Sequence, residues 1–249
     1  MLLSEIVVGK GEYQISVTKH LIWDAVNWKK FVRRDNTAIL IIDPQNDCAT
    51  EGGALDKIGW KAWRYIRESG SVDNIISIVE ASRKLKLPVI WTRFLRKKGF
   101  TDARPGSLEE AMLKFYASAV PGLWEEGTWD VELIDEVLEV KRPEDLVLDK
   151  PASSAFIGTV LERFLRNWKI EVLIIGGYYT GMCVESTARD AFDLGYMPII
   201  VGDACMDHGP DKETALQVHK SCLDRLDGRL GMVNVQSTST VLELLNEMV

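Results

Sequence analysis

The sequence predicts an α/β protein, a doubly wound three-layer α/β/α sandwich with a six-stranded, mainly parallel sheet. Two patterns carry this prediction. Short apolar runs of strand length recur along the chain, and stretches with helical spacing lie between the later runs. Strands that alternate with helices of this length are joined by right-handed crossovers. We therefore expect parallel strands with helices on both faces of the sheet.

Each of the six predicted strands is a short apolar run rich in strand-forming residues. These runs cover residues 38–42, 89–91, 146–148, 172–175, 198–201 and 232–235. Helices are expected within residues 183–194, 212–226 and 240–248. A further helix is expected where apolar residues recur every three or four positions, as one buried helix face requires: Ile157, Val160, Leu161, Phe164 and Leu165.

Residues 1–35 are expected to form an N-terminal arm packed on a single domain of residues 36–249. Residues 13–17 alternate in polarity as a short strand does, and Trp23, Trp28 and Phe31 indicate a packed arm. Glycines and prolines interrupt the chain between residues 93 and 139. There we expect a short helix near residues 108–116 and loops that roof a pocket.

The composition excludes several classes of protein. Of the 249 residues, 46% are hydrophobic and 27% charged, as in ordinary globular proteins. A formal charge of −7 argues against a nucleic-acid partner, which requires a basic surface. No run approaches the roughly 20 apolar residues of a membrane span, and the first residues lack a secretory signal pattern. Four cysteines without a C-x-x-C pair favour free thiols in a reducing cytoplasm.

Polar residues follow three of the predicted strands at the edge where parallel sheets bind ligands. Asp43 follows the first run, Lys150 the third, and a glycine-rich turn that ends at Cys183 the fourth. Singly, such residues are more often a turn former, a solvated lysine and a packed thiol. Together they suggest a catalytic trio of carboxylate, ammonium and thiol.

The trio has a coherent chemistry. A free thiol with a pKa of about 8.5 is only about 3% ionised at pH 7. We expect the Lys150 ammonium and a helix amino end to lower the pKa of Cys183 by about two units, which is worth roughly 2.7 kcal/mol. Asp43 would accept the thiol proton, Cys183 would attack a carbonyl carbon, and backbone N–H groups of the turn would hold the oxyanion.

From residue 37 onward the chain resembles the isochorismatase-like cysteine hydrolase family. That family includes nicotinamidases and N-carbamoylsarcosine, biuret and ureidoacrylate amidohydrolases. Five ordered motifs carry the resemblance: D-P-Q-N-D at 43–47, G-T-W at 127–129, K-P-A-S-S-A-F at 150–156, G-Y-Y-T-G-M-C-V at 177–184 and D-A at 203–204.

The resemblance implies a catalytic triad of Asp43, Lys150 and Cys183. It also implies a cis peptide between Tyr178 and Tyr179, and an oxyanion hole formed by the backbone N–H groups of Tyr179 and Cys183. It further implies a homo-oligomer, a dimer or tetramer. The substrate pocket that it implies contains Gln45, Phe94, Phe156 and Tyr179.

Three departures from the family pattern modify these expectations. The D-x-H metal motif of nicotinamidases is replaced by Asp56-Lys57-Ile58, so we expect no metal and no other cofactor. Gly181 stands where the family often has Asn or Asp, and any side-chain contact made there is lost. Tyr179 is bulkier than the usual residue, which favours a narrow pocket and a small linear amide or ureide.

The sequence therefore predicts a cysteine-dependent amidohydrolase that cleaves a C–N bond of a small amide or ureido substrate through a thioester. One alternative is an isochorismatase-type vinyl-ether hydrolase, which needs the carboxylate more than the thiol. Another is a non-catalytic, small-molecule-binding member of the family. A Cys–His mechanism with His208 as the base is also open, whereas His20 and His219 are expected to be solvated or packed.

Overall fold

A computed structural model describes residues 3–228 and 231–248 of the protein. It contains eight strands in this part of the chain: β1 (Leu3–Val8), β2 (Ile15–His20), β3 (Thr37–Ile42), β4 (Val89–Phe94), β5 (Leu146–Lys150), β6 (Val172–Tyr178), β7 (Met197–Met206) and β8 (Asn234–Gln236). Six of them, β3 to β8, form one sheet in the order β5-β4-β3-β6-β7-β8, and every neighbouring pair is parallel. The predicted α/β fold class is confirmed.

The described helices lie mostly in the connections between these strands. They are α1 (Ile22–Ala25), α2 (Asn46–Ala49), α3 (Ala54–Lys57), α4 (Ala62–Ser69), α5 (Ser71–Leu85), α6 (Leu108–Ala119), α7 (Asp135–Val140), α8 (Leu161–Asn167), α9 (Glu185–Asp193), α10 (Lys212–Leu223) and α11 (Thr238–Glu247). Among them, no helix is long and apolar enough to cross a membrane.

Both faces of the central strand are buried, as its uninterrupted apolar sequence requires. Alternate residues of β3 point to opposite faces, so Ile39 and Ile41 pack with α5 and α11 in one hydrophobic core. Leu40 and Ile42 pack with α8 and α9 in the other. This arrangement gives the three layers that the sequence predicts.

The order of the strands reverses between β3 and β6. From this pair, β4 and β5 extend to one side and β7 and β8 to the other. Such a switch point leaves a crevice at the carboxyl ends of the strands, where α/β proteins bind ligands. The candidate site must therefore be sought where β3 and β6 end.

The N-terminal segment forms a separate antiparallel sheet of β1 and β2. The Nζ of Lys19 is buried and donates to Asn234 Oδ1 at 2.9 Å and to the carbonyl of Val235 at 3.1 Å, which ties β2 to β8. Trp23 and Trp28 are buried as expected, but Phe31 is 44% exposed, so its predicted packing is wrong. The division of the chain after residue 35 stays a prediction.

Two predicted elements differ from those observed. The helix expected from Ile157 onward begins only at Leu161, and Ile157 and Val160 are exposed rather than part of a buried face. Gly158 adopts a left-handed φ of 73°, which a helix cannot accommodate, and the Thr159 hydroxyl then accepts the N–H of Leu161. The last strand starts at Asn234 instead of residue 232.

Candidate active site

Asp43 lies directly after β3 and is fixed by the neighbouring strand. The hydroxyl of Thr92, on β4, donates to Asp43 Oδ1 at 2.6 Å and accepts the backbone N–H of Asp43 at 3.1 Å. Asp43 is only 5% exposed and has a left-handed φ of 48°, an uncommon conformation outside glycine. The sequence analysis did not identify Thr92, although it too lies near the end of a strand.

Lys150 is the last residue of β5, and its ammonium group is fully buried. Its Nζ lies 2.7 Å from Asp43 Oδ2 and donates to the carbonyls of Ala152 and Ser153 at 2.9 and 3.0 Å. Burial alone lowers the pKa of Lys150, but the Asp43 carboxylate and Cys183 outweigh it, so the pKa lies above its ordinary value. Lys150 is therefore a positioned, permanently charged group.

A close approach of two strands brings the turn that carries Cys183 toward Asp43. Gly177 of β6 has a φ of 119°, and a Cβ there would lie 2.1 Å from the carbonyl oxygen of Ile42. Only glycine fits this position, which is paired across the sheet with Ile42, the residue before Asp43. The peptide bond between Tyr178 and Tyr179 is cis, and a π-helical turn, Thr180–Val184, then leads into α9.

Cys183 lies in this turn beside both Asp43 and Lys150. Burial raises the pKa of Cys183 to about 12; the Asp43 carboxylate raises it as well, and the Lys150 ammonium opposes both. The expected lowering of the Cys183 pKa is therefore wrong. The physical reason is that Lys150 already carries an anionic partner, so a thiolate would meet a nearly neutral ion pair. The raised pKa favours the protonated form of this thiol.

Asp207, just after β7, supports the turn that carries Cys183. Its Oδ2 accepts the N–H of Gly181 at 2.6 Å, and its Oδ1 accepts the N–H of His208 at 2.9 Å. A Cβ at Gly181 would lie 2.9 Å from Asp207 Oδ2, so the missing side chain makes room for this contact. Asp207 is 1% exposed, and burial raises its pKa. The sequence analysis missed this residue.

His219 supports the same turn from α10. Its Nδ1 lies 2.7 Å from the Thr180 hydroxyl, and burial lowers the pKa of His219 to about 4. The ring is therefore neutral at physiological pH. His219 is packed, as the sequence suggests, and it acts on the turn through Thr180.

A cavity of about 570 Å³ opens above Asp43 and Cys183. Of the four predicted pocket residues, Gln45, Phe94 and Tyr179 line this cavity. The expectation that Tyr179 makes the pocket narrow does not fit this volume, which is typical of sites for drug-sized ligands. The Tyr179 hydroxyl is buried and has no hydrogen-bond partner in the described part of the chain.

The amide of Gln45 is fully occupied by the protein. It donates to the carbonyls of Phe94 and Val131 at 3.0 and 2.9 Å and accepts the N–H of Phe94 at 2.7 Å. Gln45 therefore holds the end of β4 in place. The Phe94 ring lies 5.2 Å from Lys150 Nζ, close enough for a cation–π contact.

Two predicted candidates lie outside the described cavity wall. Phe156 stacks on Tyr196, with 5.8 Å between ring centroids, and packs against the core cluster of α8 and α9, so the structure does not place it in the pocket. His208 stacks on Trp60 at 4.5 Å and meets the edge of Tyr179 at 4.8 Å. These contacts give His208 a packing role beside the cavity, which disfavours the Cys–His alternative.

Two further charged groups on the cavity wall were not singled out from the sequence. Trp124 Nε1 donates to Asp47 Oδ2 at 3.1 Å, and burial, with the nearby Asp43 carboxylate, raises the pKa of Asp47 to about 7. Arg96 is buried and pairs with Asp102 and Glu109, each at 2.7 Å. Asp47 ends the D-P-Q-N-D motif, a signal that the sequence does contain.

The described residues also bear on metal binding. No group of three or more His, Cys, Asp or Glu side chains within residues 3–228 and 231–248 is arranged to hold a metal ion. The segment that replaces the nicotinamidase metal motif instead forms α3, where Asp56 accepts the N–H of Gly52 at 2.9 Å and pairs with Lys61.

Comparison with known proteins identifies the family. A family model described as the Isochorismatase domain matches residues 37–220. The chain belongs to the isochorismatase family. It is 33% identical over 182 residues to ureidoacrylate amidohydrolase RutB of Pantoea ananatis (strain LMG 20103), a match that covers 70% of this chain and 71% of that relative.

Solved structures share the fold of this isochorismatase-family chain. A cysteine hydrolase from Pseudomonas syringae pv. phaseolicola 1448A superposes with a TM-score of 0.71 at 24% identity, covering 88% of this chain and 96% of the other. N-carbamoylsarcosine amidase from Thermoplasma acidophilum has a TM-score of 0.60 at 23% identity, covering 82% and 96%. At these identities the likeness concerns the fold alone.

Proposed function

We propose that the protein is a cysteine-dependent amidohydrolase that cleaves a C–N bond of a small amide or ureido substrate through a thioester. The chain is a hydrolase that acts on carbon–nitrogen bonds other than peptide bonds, in keeping with its relative named ureidoacrylate amidohydrolase. The observation that carries the proposal is the buried pair of Asp43 and Lys150 beside Cys183, at the floor of a cavity large enough for a substrate.

The first half of the reaction forms the thioester. When a substrate carbonyl lies over Cys183, Asp43 takes the thiol proton and the sulfur attacks the carbonyl carbon. Backbone N–H groups of Tyr179 and Cys183 hold the negative oxygen of the tetrahedral intermediate. Asp43 then gives its proton to the leaving nitrogen, the C–N bond breaks, and ammonia or an amine departs.

The second half releases the acid. Asp43 takes a proton from a water molecule, whose oxygen attacks the thioester carbon. The C–S bond breaks, the acid leaves, and the proton on Asp43 returns to the sulfur, so the enzyme regains its starting state. Lys150 stays charged throughout. Its three short contacts hold the ammonium group in one place, where it stabilises whichever of Asp43 and Cys183 carries the negative charge.

A protonated resting thiol suits this sequence of steps. A thiol with a raised pKa does not ionise until a base takes its proton, so the nucleophile forms only as Asp43 acts. The thiolate formed in this way is a strong nucleophile, because nucleophilicity rises with thiol pKa.

The test is ammonia release from a panel of primary amides and ureides by the wild type and four variants. We expect Cys183→Ala, Cys183→Ser and Asp43→Asn to lose activity by at least about 1000-fold, since groups that act as a unit fail together. Cys205→Ala, a change at a buried thiol on β7, is the matched control and should stay active.

Two further outcomes separate the alternatives. Hydroxylamine should trap the acyl group as a hydroxamate in the wild type and not in Cys183→Ala, which reports the thioester directly. Hydrolysis of a vinyl-ether substrate that survives Cys183→Ser but is lost in Asp43→Asn, without ammonia release from the amides, would contradict the thioester route and favour the vinyl-ether mechanism. If the wild type turns over no substrate of the panels but binds one of them tightly, a non-catalytic protein is favoured.

A further inference from the structure

We infer that the substrate of this site is an uncharged amide with a bulky apolar body, and that the cavity rejects an amide whose body carries a carboxylate. This inference rests on the proposed function, and it concerns the part of the substrate that lies away from the scissile bond. Three properties of the cavity point to it: the chemistry of its walls, the pairing of its charges and its size.

The walls away from Asp43 and Cys183 are mostly apolar. Phe94 meets Trp124 edge to face, with 5.5 Å between ring centroids, and Trp124 meets Tyr116 at 5.6 Å. Aliphatic side chains complete this surface: Leu55, Leu108, Met112, Leu113 and Met182. Such a surface offers dispersion contacts and aromatic faces, and few hydrogen bonds, to the body of a substrate.

The cations on the wall are already paired. Among the cavity-lining residues that the structure describes, the basic one is Arg96, and the Lys150 ammonium lies buried just behind Asp43. Lys150 is held by Asp43, and Arg96 by Asp102 and Glu109. A substrate carboxylate would thus find no free cation and would approach carboxylates that line the same space. A charge that enters an apolar site without a partner loses its hydration without compensation.

The volume agrees with a bulky body. A cavity of about 570 Å³ has room for roughly 19 water molecules at about 30 Å³ each. A substrate without an apolar body would leave most of this apolar space filled with water. The cavity extends from Cys183 to α6, where Leu108 and Met112 are 76% and 49% exposed and form its mouth. An apolar group can therefore lie along α6 while its amide reaches Cys183.

The experiment compares three amides that differ in one property at a time: propanamide, 3-phenylpropanamide and 3-(4-carboxyphenyl)propanamide. Ammonia release gives kcat/KM for each with the wild-type enzyme. We expect 3-phenylpropanamide to exceed both of the others by about 100-fold, because the ring fills the apolar space and the carboxylate has no partner there. Equal or higher kcat/KM for propanamide or the carboxylated amide would overturn the inference and leave the proposed function intact.

A charge placed at the mouth gives a matched test. Met112→Lys should raise kcat/KM for the carboxylated amide relative to 3-phenylpropanamide about tenfold, because it supplies a free cation. Met112→Gln is the neutral control: it removes the same apolar side chain without adding a charge, and it should change that ratio much less than Met112→Lys does. Since Met112 is half exposed, neither change is expected to disturb folding. An unchanged ratio in Met112→Lys would contradict the part of the inference that concerns charge.

Binding separates failure of the inference from failure of the proposed function. Titration calorimetry of the Cys183→Ala protein with the same three amides measures affinity without turnover. If the wild type hydrolyses none of them but the variant binds 3-phenylpropanamide most tightly, the reaction is wrong and the ligand class stands. If the variant binds none of the three, or binds the carboxylated amide as tightly, the ligand class is wrong.

Discussion

The Nζ of Lys150 lies 2.7 Å from Oδ2 of Asp43, with both groups shielded from solvent at the edge of the sheet. The two residues are separated in the sheet by β4, whose Thr92 hydroxyl holds the other oxygen of the carboxylate. A buried ion pair of this kind is costly to break, because removal of one partner leaves a charge that has lost its hydration without compensation.

Lys150→Met is therefore expected to lower the free energy of unfolding by about 3–5 kcal/mol and to abolish activity. Urea unfolding at pH 7 measures the stability. Lys97→Met is the control, because Lys97 forms an exposed pair with Glu126 and its loss should change the stability little. The double variant Asp43→Asn/Lys150→Met should recover part of the stability while staying inactive. Equal stability of Lys150→Met and wild type would contradict this account.

Alkylation of Cys183 should show the raised thiol pKa. With a pKa of about 12, the thiolate fraction rises tenfold per pH unit from pH 6 to pH 9 and does not level off there. Iodoacetamide labelling read by mass spectrometry should follow this slope. Cys183 should react before Cys48, Cys205 and Cys222, because those three are buried and Cys183 is partly exposed. A plateau near pH 7 would indicate a preformed thiolate and contradict the raised pKa of Cys183.

The sequence predicts the sheet edge well because chain order and strand ends determine it. Asp43, Lys150 and Cys183 each lie at or just beyond the carboxyl end of a strand, and parallel strands carry those ends to one side. Their roles in catalysis stay a proposal, but their proximity follows from the fold. The central strands are equally readable, since strands buried on both faces are apolar throughout.

The remainder of the site depends on loop conformation, which the sequence does not reveal. Arg96 pairs with Glu109, which lies 13 residues later in a segment that contains several glycines. Asp207 accepts the N–H of Gly181, which lies 26 residues before it. Phe156 belongs to a matched motif, yet its ring stacks on Tyr196 and packs against the core instead of lining the cavity. The pKa of Cys183 likewise depends on which partner Lys150 already has.

Stability should depend on the protonation of Asp47. Its pKa is raised from an ordinary 3.8 to about 7, so the folded state favours the protonated form more than the unfolded state does. This contribution is fully present below about pH 4 and is lost as the pH rises to about 7. Asp47→Asn removes it and still offers an oxygen to Trp124. The variant should therefore gain a few kcal/mol relative to the wild type between pH 4 and pH 8.

Urea unfolding of the wild type and Asp47→Asn at pH 4.5, 6 and 8 tests this dependence on pH. The difference between the two proteins isolates Asp47 from other buried carboxyls, such as Asp207 and Asp227, whose pKa values are also raised by burial. Asp149→Asn, which neutralises a more exposed carboxylate that pairs with Arg93 on β4, is the matched control for the loss of one carboxylate. A constant difference for Asp47→Asn would show that its pKa is not raised.

Asp207 is expected to act as a positioning residue for the nucleophile turn. It contacts no part of the proposed reaction centre, but it holds the N–H of Gly181, two residues before Cys183. Asp207→Ala should lower kcat by about 10- to 100-fold with little change in KM, because a loosened turn misplaces the sulfur and the oxyanion donors without altering the apolar cavity. Asp207→Asn, which can still accept the N–H of Gly181, should restore most of kcat. Thermal unfolding of both variants distinguishes this role from a purely structural one. A fall in kcat that followed the fall in melting temperature, with no rescue by Asp207→Asn, would contradict the positioning role.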